Sequence, residues 1–582
     1  MDDTGHSFAP WDNGEDAARR PGFVRASFQT GVGYSCSSLT VFGKAPTGAL
    51  ALRSFALSAV LLGCTQTGIV GITSTRSVER DATTVPSDAT LASDATLASD
   101  TSIRSDANAT HVVTIDDCLP INAANLDPAS AQQLVDGSGD ASSMRFLYPY
   151  DGTVYPRGIP GPVLMWDGPA PDVVYVRLHS RAFDYRGCLK PTGLNLLELP
   201  SGVWDLAAAS AKGVADPFTL DLKVLTGGAI HGPISEQLVI APAALTGSVY
   251  YMTTASPAAV GGVLRVRGGR TAEPVLTPPS CAGCHSVAAN GTRLLAFSSG
   301  AGASFNVSGS SLTPLLAPTP GGEFPAVYPD GSVYVASAHP PGSVLRSYGG
   351  GVTAAGLYDA LTGVLVADSG IPSGACMPSF SPNGQLLAFT DFGASSGHTL
   401  ALMGFSVAAR AASGYRGLYS TTDQFVGWPA FLPDGAGIVF TKGAAADFSG
   451  GGAGLIPVIT GPSTDLFVID GVARIPVLLS QAAGFRSADD AETGRTYLPG
   501  GAADLHQNYY PTVSPAMAAG YAWVLFDSLR SYGNQGVRRA IWGTGISLSP
   551  DGTYRADPSH PAFYLPGQGI SPNFRAVAVM DP

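Results

Sequence analysis

The sequence predicts an all-β chain: a β-sandwich of the immunoglobulin/fibronectin type followed by a β-propeller of about six blades. Three observations carry this. Charged residues make up only 13% of the 582, while Gly (72) and Pro (45) are abundant, a composition of short strands and turns rather than long helices. Short apolar runs are punctuated by Asp-Gly and Asn-Gly pairs, which tolerate the positive φ of tight antiparallel turns. From about residue 270 those pairs recur in a common register.

The order of the chain begins with an address. Leu52-Arg53 precedes the apolar run Phe55-Ala-Leu-Ser-Ala-Val60-Leu-Leu-Gly63, which stops at Cys64. The run is too short to span a bilayer and suits a signal-peptide core. Leu61-Leu62-Gly63-Cys64 resembles the lipobox of bacterial lipoproteins, which implies lipidation of Cys64 and export, with Thr65 favouring the outer membrane. Residues 1–63 are thus read as leader. Residues 64–142 are read as a tether, because Ser87-Asp-Ala-Thr-Leu-Ala92 and Ser93-Asp-Ala-Thr-Leu-Ala98 repeat a unit with no aromatic side chain to bury.

Residues 143–256 are expected to form the sandwich. Pro162-Val-Leu-Met-Trp166, Val173-Val-Tyr-Val-Arg177, Leu220-Asp-Leu-Lys-Val-Leu225 and Ser248-Val-Tyr-Tyr-Met252 are strand-like, with Asp151-Gly152 and Asp167-Gly168 between strands. Residues 257–582 are expected to form the propeller. Phe324-Pro-Ala-Val-Tyr-Pro-Asp-Gly331, Met377-Pro-Ser-Phe-Ser-Pro-Asn-Gly384 and Trp428-Pro-Ala-Phe-Leu-Pro-Asp-Gly435 share one pattern. Tyr510-Pro-Thr-Val-Ser-Pro515 follows it with Met517 in the glycine slot, and Ser549-Pro-Asp-Gly552 is a weaker copy. This strand, Ser-Pro-Asp-Gly, strand pattern resembles the TolB-type propeller repeat over about residues 275–575. Gly291, Gly331, Gly384, Gly435, Met517 and Gly552 then imply six blades.

Cys281-Ala-Gly-Cys284-His285 carries the chemistry. Two thiols at this spacing can add to the vinyl groups of one porphyrin, leaving the adjacent imidazole placed to bind iron. The expectation is one covalent haem c on Cys281 and Cys284, with His285 as proximal ligand. Half a zinc site, a redox disulfide and an unmodified cysteine pair are the competing readings. Aligned on Gly291, Cys284 and His285 fill the slots held elsewhere by Phe324-Pro325, Met377-Pro378, Trp428-Pro429 and Tyr510-Pro511. Because that strand is innermost in a propeller, Cys284, Phe324, Met377, Trp428 and Tyr510 are expected to converge on one funnel. Met377 leads as sixth ligand; His231, His339, His398, His506 or an open position are alternatives. Cys118 and Cys188 could form a disulfide in an oxidising compartment.

Three functions remain open at this level: a surface-tethered mono-haem electron carrier with an unknown redox partner protein, a module binding peptide or glycan at the propeller mouth in which haem is structural or a sensor, and a haem enzyme. The net charge of −12 excludes the clustered Lys and Arg that nucleic acid requires, and membrane contact is expected through the lipid alone.

Overall fold

The computed structural model describes residues 112–256, 259–268, 270–276, 284–298, 301–319, 324–336, 354–444, 463–517, 519–569 and 571–582. Cys64, Cys281 and His339 lie outside the described residues, as does the side chain of Cys284.

Structure begins earlier than the sequence predicted. Val113–Asp117 is a strand and Pro128–Asp136 a helix, both inside the segment read as tether. Their cause is local. Asp127 caps the helix by accepting from the Ala129 and Ser130 N–H groups, with Pro128 following it. Lys223 donates to the carbonyls of Leu134, Val135 and Gly137, placing a cation at the negative end of the helix dipole. A disulfide joins Cys118 to Cys188 and fixes the segment to the sandwich.

The sandwich has two sheets. The larger runs in the order Val113–Asp117, Phe183–Leu189, Val173–His179, Phe218–Thr226, Ala229–Ala244, Thr153–Arg157, with its two edge pairs parallel. The smaller consists of Arg145–Tyr148, Val163–Asp167 and Leu196–Glu198. Val174, Val176 and Leu178 from one sheet meet Leu164, Trp166 and Leu197 from the other in a single core.

The propeller has six blades, but one of them is not where the turn count put it. Ser248–Ser256, read as the end of the sandwich, is the second strand of blade 1. It pairs outward with Ala259–Arg267, which in turn pairs with Glu273–Leu276, and inward with Asn573–Val579 at the far end of the chain. The ring therefore closes with strands from both ends of the propeller sequence. Blades 2 to 6 start at Cys284, Ala326, Ala375, Phe425 and Asn508. The haem-type motif thus opens blade 2, not the first blade. Gly552 marks no blade, since its turn lies between Ala540–Ser547 and Phe563–Tyr564 within blade 6.

The repeated turns behave as their residues require. Gly291, Gly331, Gly384 and Gly435 have φ of +73°, +81°, +70° and +72°. Asn290, Asp330, Asn383 and Asp434 each accept from the N–H two residues on. Glycine is needed at position 384 for a second reason: a Cβ there would fall 2.1 Å from the Tyr328 hydroxyl of the preceding blade. Met517 does not fill this role, because the left-handed residues of its turn are Ala519 and Gly520.

Candidate functional site at the propeller channel

Five inner strands share one irregularity. Phe324, Met377, Trp428, Tyr510 and Arg575 have φ of +52°, +49°, +56°, +48° and +54°. At Met377, Trp428, Tyr510 and Arg575 the ladder shifts so that two residues oppose one. Four of the five precede a proline, whose missing N–H costs the bulge no hydrogen bond. Each such conformation costs about 1–3 kcal/mol for a non-glycine residue and persists only where packing imposes it.

The packing is a plug. Trp428 lies edge-on to Phe324 (centroids 4.8 Å apart) and to Tyr510 (4.3 Å). The Arg575 guanidinium sits 4.7 Å from the Phe324 ring, 4.6 Å from Trp428 and 5.6 Å from Tyr510, a cation surrounded by three aromatic rings. Phe324, Met377, Trp428 and Tyr510 do converge as the register predicted, and all four are buried. They fill the end of the channel where the inner strands begin and pack on one another, so they present no open aromatic platform.

Arg575 was missed because its strand carries neither the proline nor the glycine of the repeat. The available signal was Asp581, which stands in the turn-Asp slot and puts Arg575 level with Cys284.

His285 departs from the pattern. Its strand, Cys284–Val287, runs opposite Leu294–Phe297 without a register shift. The imidazole is 1% exposed, and neither ring nitrogen makes a well-formed hydrogen bond; the Tyr250 backbone offers the one weak contact. Burial, reinforced by the nearby Arg575 charge and weakly opposed by the Tyr250 backbone, holds its pKa down at about 3. A buried, neutral imidazole without well-formed hydrogen bonds costs roughly 1–3 kcal/mol. That is an unusual thing to line a channel with, and it is the form in which histidine binds iron or another metal.

The other candidate ligands are engaged elsewhere. Met377 Sδ lies 4.0 Å from Thr390 Oγ1 and beside Gly427, where a Cβ would come within 3.1 Å of the sulfur. His398 Nδ1 lies 2.7 Å from the Gln424 carbonyl, and its ring stacks on Phe425. His506 Nδ1 is 2.6 Å from Asp465, which raises its pKa. His231 belongs to the sandwich strand Ala229–Ala244. Among the described residues no three His, Cys, Asp or Glu side chains come together as a metal cluster.

His285, Ser286, Phe324, Met377, Trp428 and Arg575 line a cavity of about 200 Å³. That is smaller than the ~300–1,000 Å³ of ordinary cofactor pockets, so a tetrapyrrole does not fit inside the channel.

No protein-family model matches the chain, and no curated protein does. Solved structures with similar folds include TolB of Acinetobacter baumannii (12% identity over 68% of this chain and 89% of that one, TM-score 0.36). Hydrazine synthase of Kuenenia stuttgartiensis is similar at 11% identity over 47% and 65%, TM-score 0.28. A 6-phosphogluconolactonase-like protein of Bacteroides uniformis is similar at 14% identity over 56% and 85%, TM-score 0.32. At these values the likenesses carry no functional argument. The all-β architecture rests on the sheets themselves.

Proposed function

We propose that the protein is an exported, lipid-anchored propeller that carries one covalent haem c on Cys281, Cys284 and His285 and relays electrons. One observation carries the reading: an imidazole buried at the channel, with neither nitrogen in a well-formed hydrogen bond, directly after a cysteine pair of haem-attachment spacing. The Cys118–Cys188 disulfide supports an oxidising compartment, where such attachment takes place. The group would supply a one-electron couple. The chain's part is to offer His285 in its ligand form and to close the channel beneath with the Arg575–Trp428 plug. Met377, seated against Thr390 and Gly427, is assigned to packing between blades 4 and 5.

The test is a pyridine-haemochrome assay with intact-mass measurement on protein exported from a host competent in haem attachment. One haem per chain is expected, lost in Cys281→Ala/Cys284→Ala, with an unaltered reduced spectrum in Met377→Leu. A colourless wild-type chain of unmodified mass would overturn the reading.

A further inference from the structure

Beyond the plug, the channel cavity of about 200 Å³ runs towards the repeated turns, where Ala289, Pro329, Pro382 and Pro515 line it. At one register level the inner strands of blades 2, 4 and 6 bring Ser286, Ser379 and Thr512 to its wall. The strands between them bring Ala326, Ala430 and Val577 at the same level. Hydroxyls therefore alternate with apolar side chains around the ring.

The next residue of each strand turns its backbone towards the channel. Ala288, Ser381, Leu432 and Ser514 give their N–H groups to the second strand of their own blade. Because the hydrogen-bonding direction alternates along a strand, the N–H groups of Val287, Phe380, Phe431 and Val513 point the other way. In the remaining two blades that N–H is met by a hydroxyl of the preceding blade: Val327 donates to Ser286 Oγ (3.3 Å) and Ala578 to Thr512 Oγ1 (3.5 Å). Among the described residues, the other four N–H groups have no hydrogen-bond acceptor. An apolar residue, Val577, Ala326 or Ala430, stands where an acceptor would serve Val287, Phe380 and Val513.

Backbone carbonyls of the same strands also face the channel, so peptide dipoles alone do not choose a ligand. Full charge does, because it outweighs a dipole at equal distance. Arg575 brings a positive charge to the floor of the cavity, and the lining contains no Asp, Glu or Lys. A cation would be repelled by that guanidinium and would find no carboxylate. An uncharged polyol would gain nothing from it. An anion is attracted, and can accept from the hydroxyls and the open N–H groups together. We infer that this part of the channel binds a small oxyanion, held by Ser286, Ser379, Thr512 and the neighbouring N–H groups in the field of Arg575. The inference makes no use of the His285 imidazole and so goes beyond the haem reading.

Titration calorimetry of the full chain with inorganic phosphate tests this, with glycerol and tetramethylammonium as neutral and cationic probes. Saturable phosphate binding is expected, at least tenfold weaker in Ser379→Ala/Thr512→Val. Arg575→Gln should lose it. Ser379→Asp, which brings a carboxylate into the lining without touching the plug, should also lose it, and decides the matter should Arg575→Gln unfold. Arg416→Gln, on the exposed outer strand Ala411–Ser420, should leave the affinity unchanged. No saturation at millimolar phosphate, equal binding of either control probe, or undiminished binding in Ser379→Asp would each overturn the inference. The measurement works equally in Cys281→Ala/Cys284→Ala, so its outcome is separate from that of the haem.

Discussion

Glu236 shows how one buried group can set a pH dependence. It sits on the sandwich strand Ala229–Ala244, and its Oε2 is buried without a hydrogen-bond partner. Burial, then the charge of Asp151, raises its pKa from 4.5 to about 9, with Arg486 opposing. The folded state therefore keeps a proton that the unfolded chain releases above about pH 4.5. Stability is fullest below that pH, falls as pH climbs towards 9, and is level beyond. Glu236→Gln should be neutral at pH 4 and more stable than wild type by about 1–3 kcal/mol at pH 8, read from thermal midpoints across pH. A gain of equal size at both pH values would contradict this origin. The same residue scale divides the channel motif. His285 was legible from its place after Cys284, whereas its burial among groups that leave it poorly hydrogen-bonded depends on neighbours such as Tyr250 of blade 1 that no local pattern names.

At the scale of the element, the turns were the most readable feature because their cause is local. Asp or Asn followed by Gly supplies both the side-chain acceptor and the positive φ, whatever surrounds it. What the repeat did not show is that Gly384 also makes room for Tyr328. Gly384→Ala should cost about 2–4 kcal/mol, more than a strained turn alone, because the new methyl meets the Tyr328 hydroxyl. In a Tyr328→Phe background part of that cost should return, and denaturant melts of the four proteins measure it; strictly additive effects would remove the contact from the explanation. The helix Pro128–Asp136 has a local signal in its Asp127-Pro128 cap, but the apolar side it buries, Ala131 and Leu134, is too short to stand out beside the low-complexity repeat upstream.

For the whole molecule, the decisive feature is that sandwich and propeller share cores. Val154, Leu164 and Trp166 belong to the same cluster as Val249 and Tyr251 of blade 1 and Trp523 and Leu525 of blade 6. Tyr148, Tyr150 and Met165 enter a second cluster with Phe526 and Trp542. The sandwich thus covers the seam where the first and last strands of the propeller meet. The described part should unfold calorimetrically in one transition, and a chain lacking residues 112–245 should be recovered as aggregate, since it would expose those aromatics to water. Two well-separated transitions, or a soluble truncated propeller, would show that the domains are independent.

Composition and turn chemistry by themselves determined the all-β class, the propeller register and the placing of a haem-type motif at an inner strand. Each of these rests on interactions within a few residues, which sequence spacing records directly. Only the tertiary structure decided that the ring closes through Asn573–Val579, that Arg575 completes the plug, and that the sandwich packs over the propeller seam. Those features join residues hundreds of positions apart, and burial and contact at that range are set by how whole sheets meet.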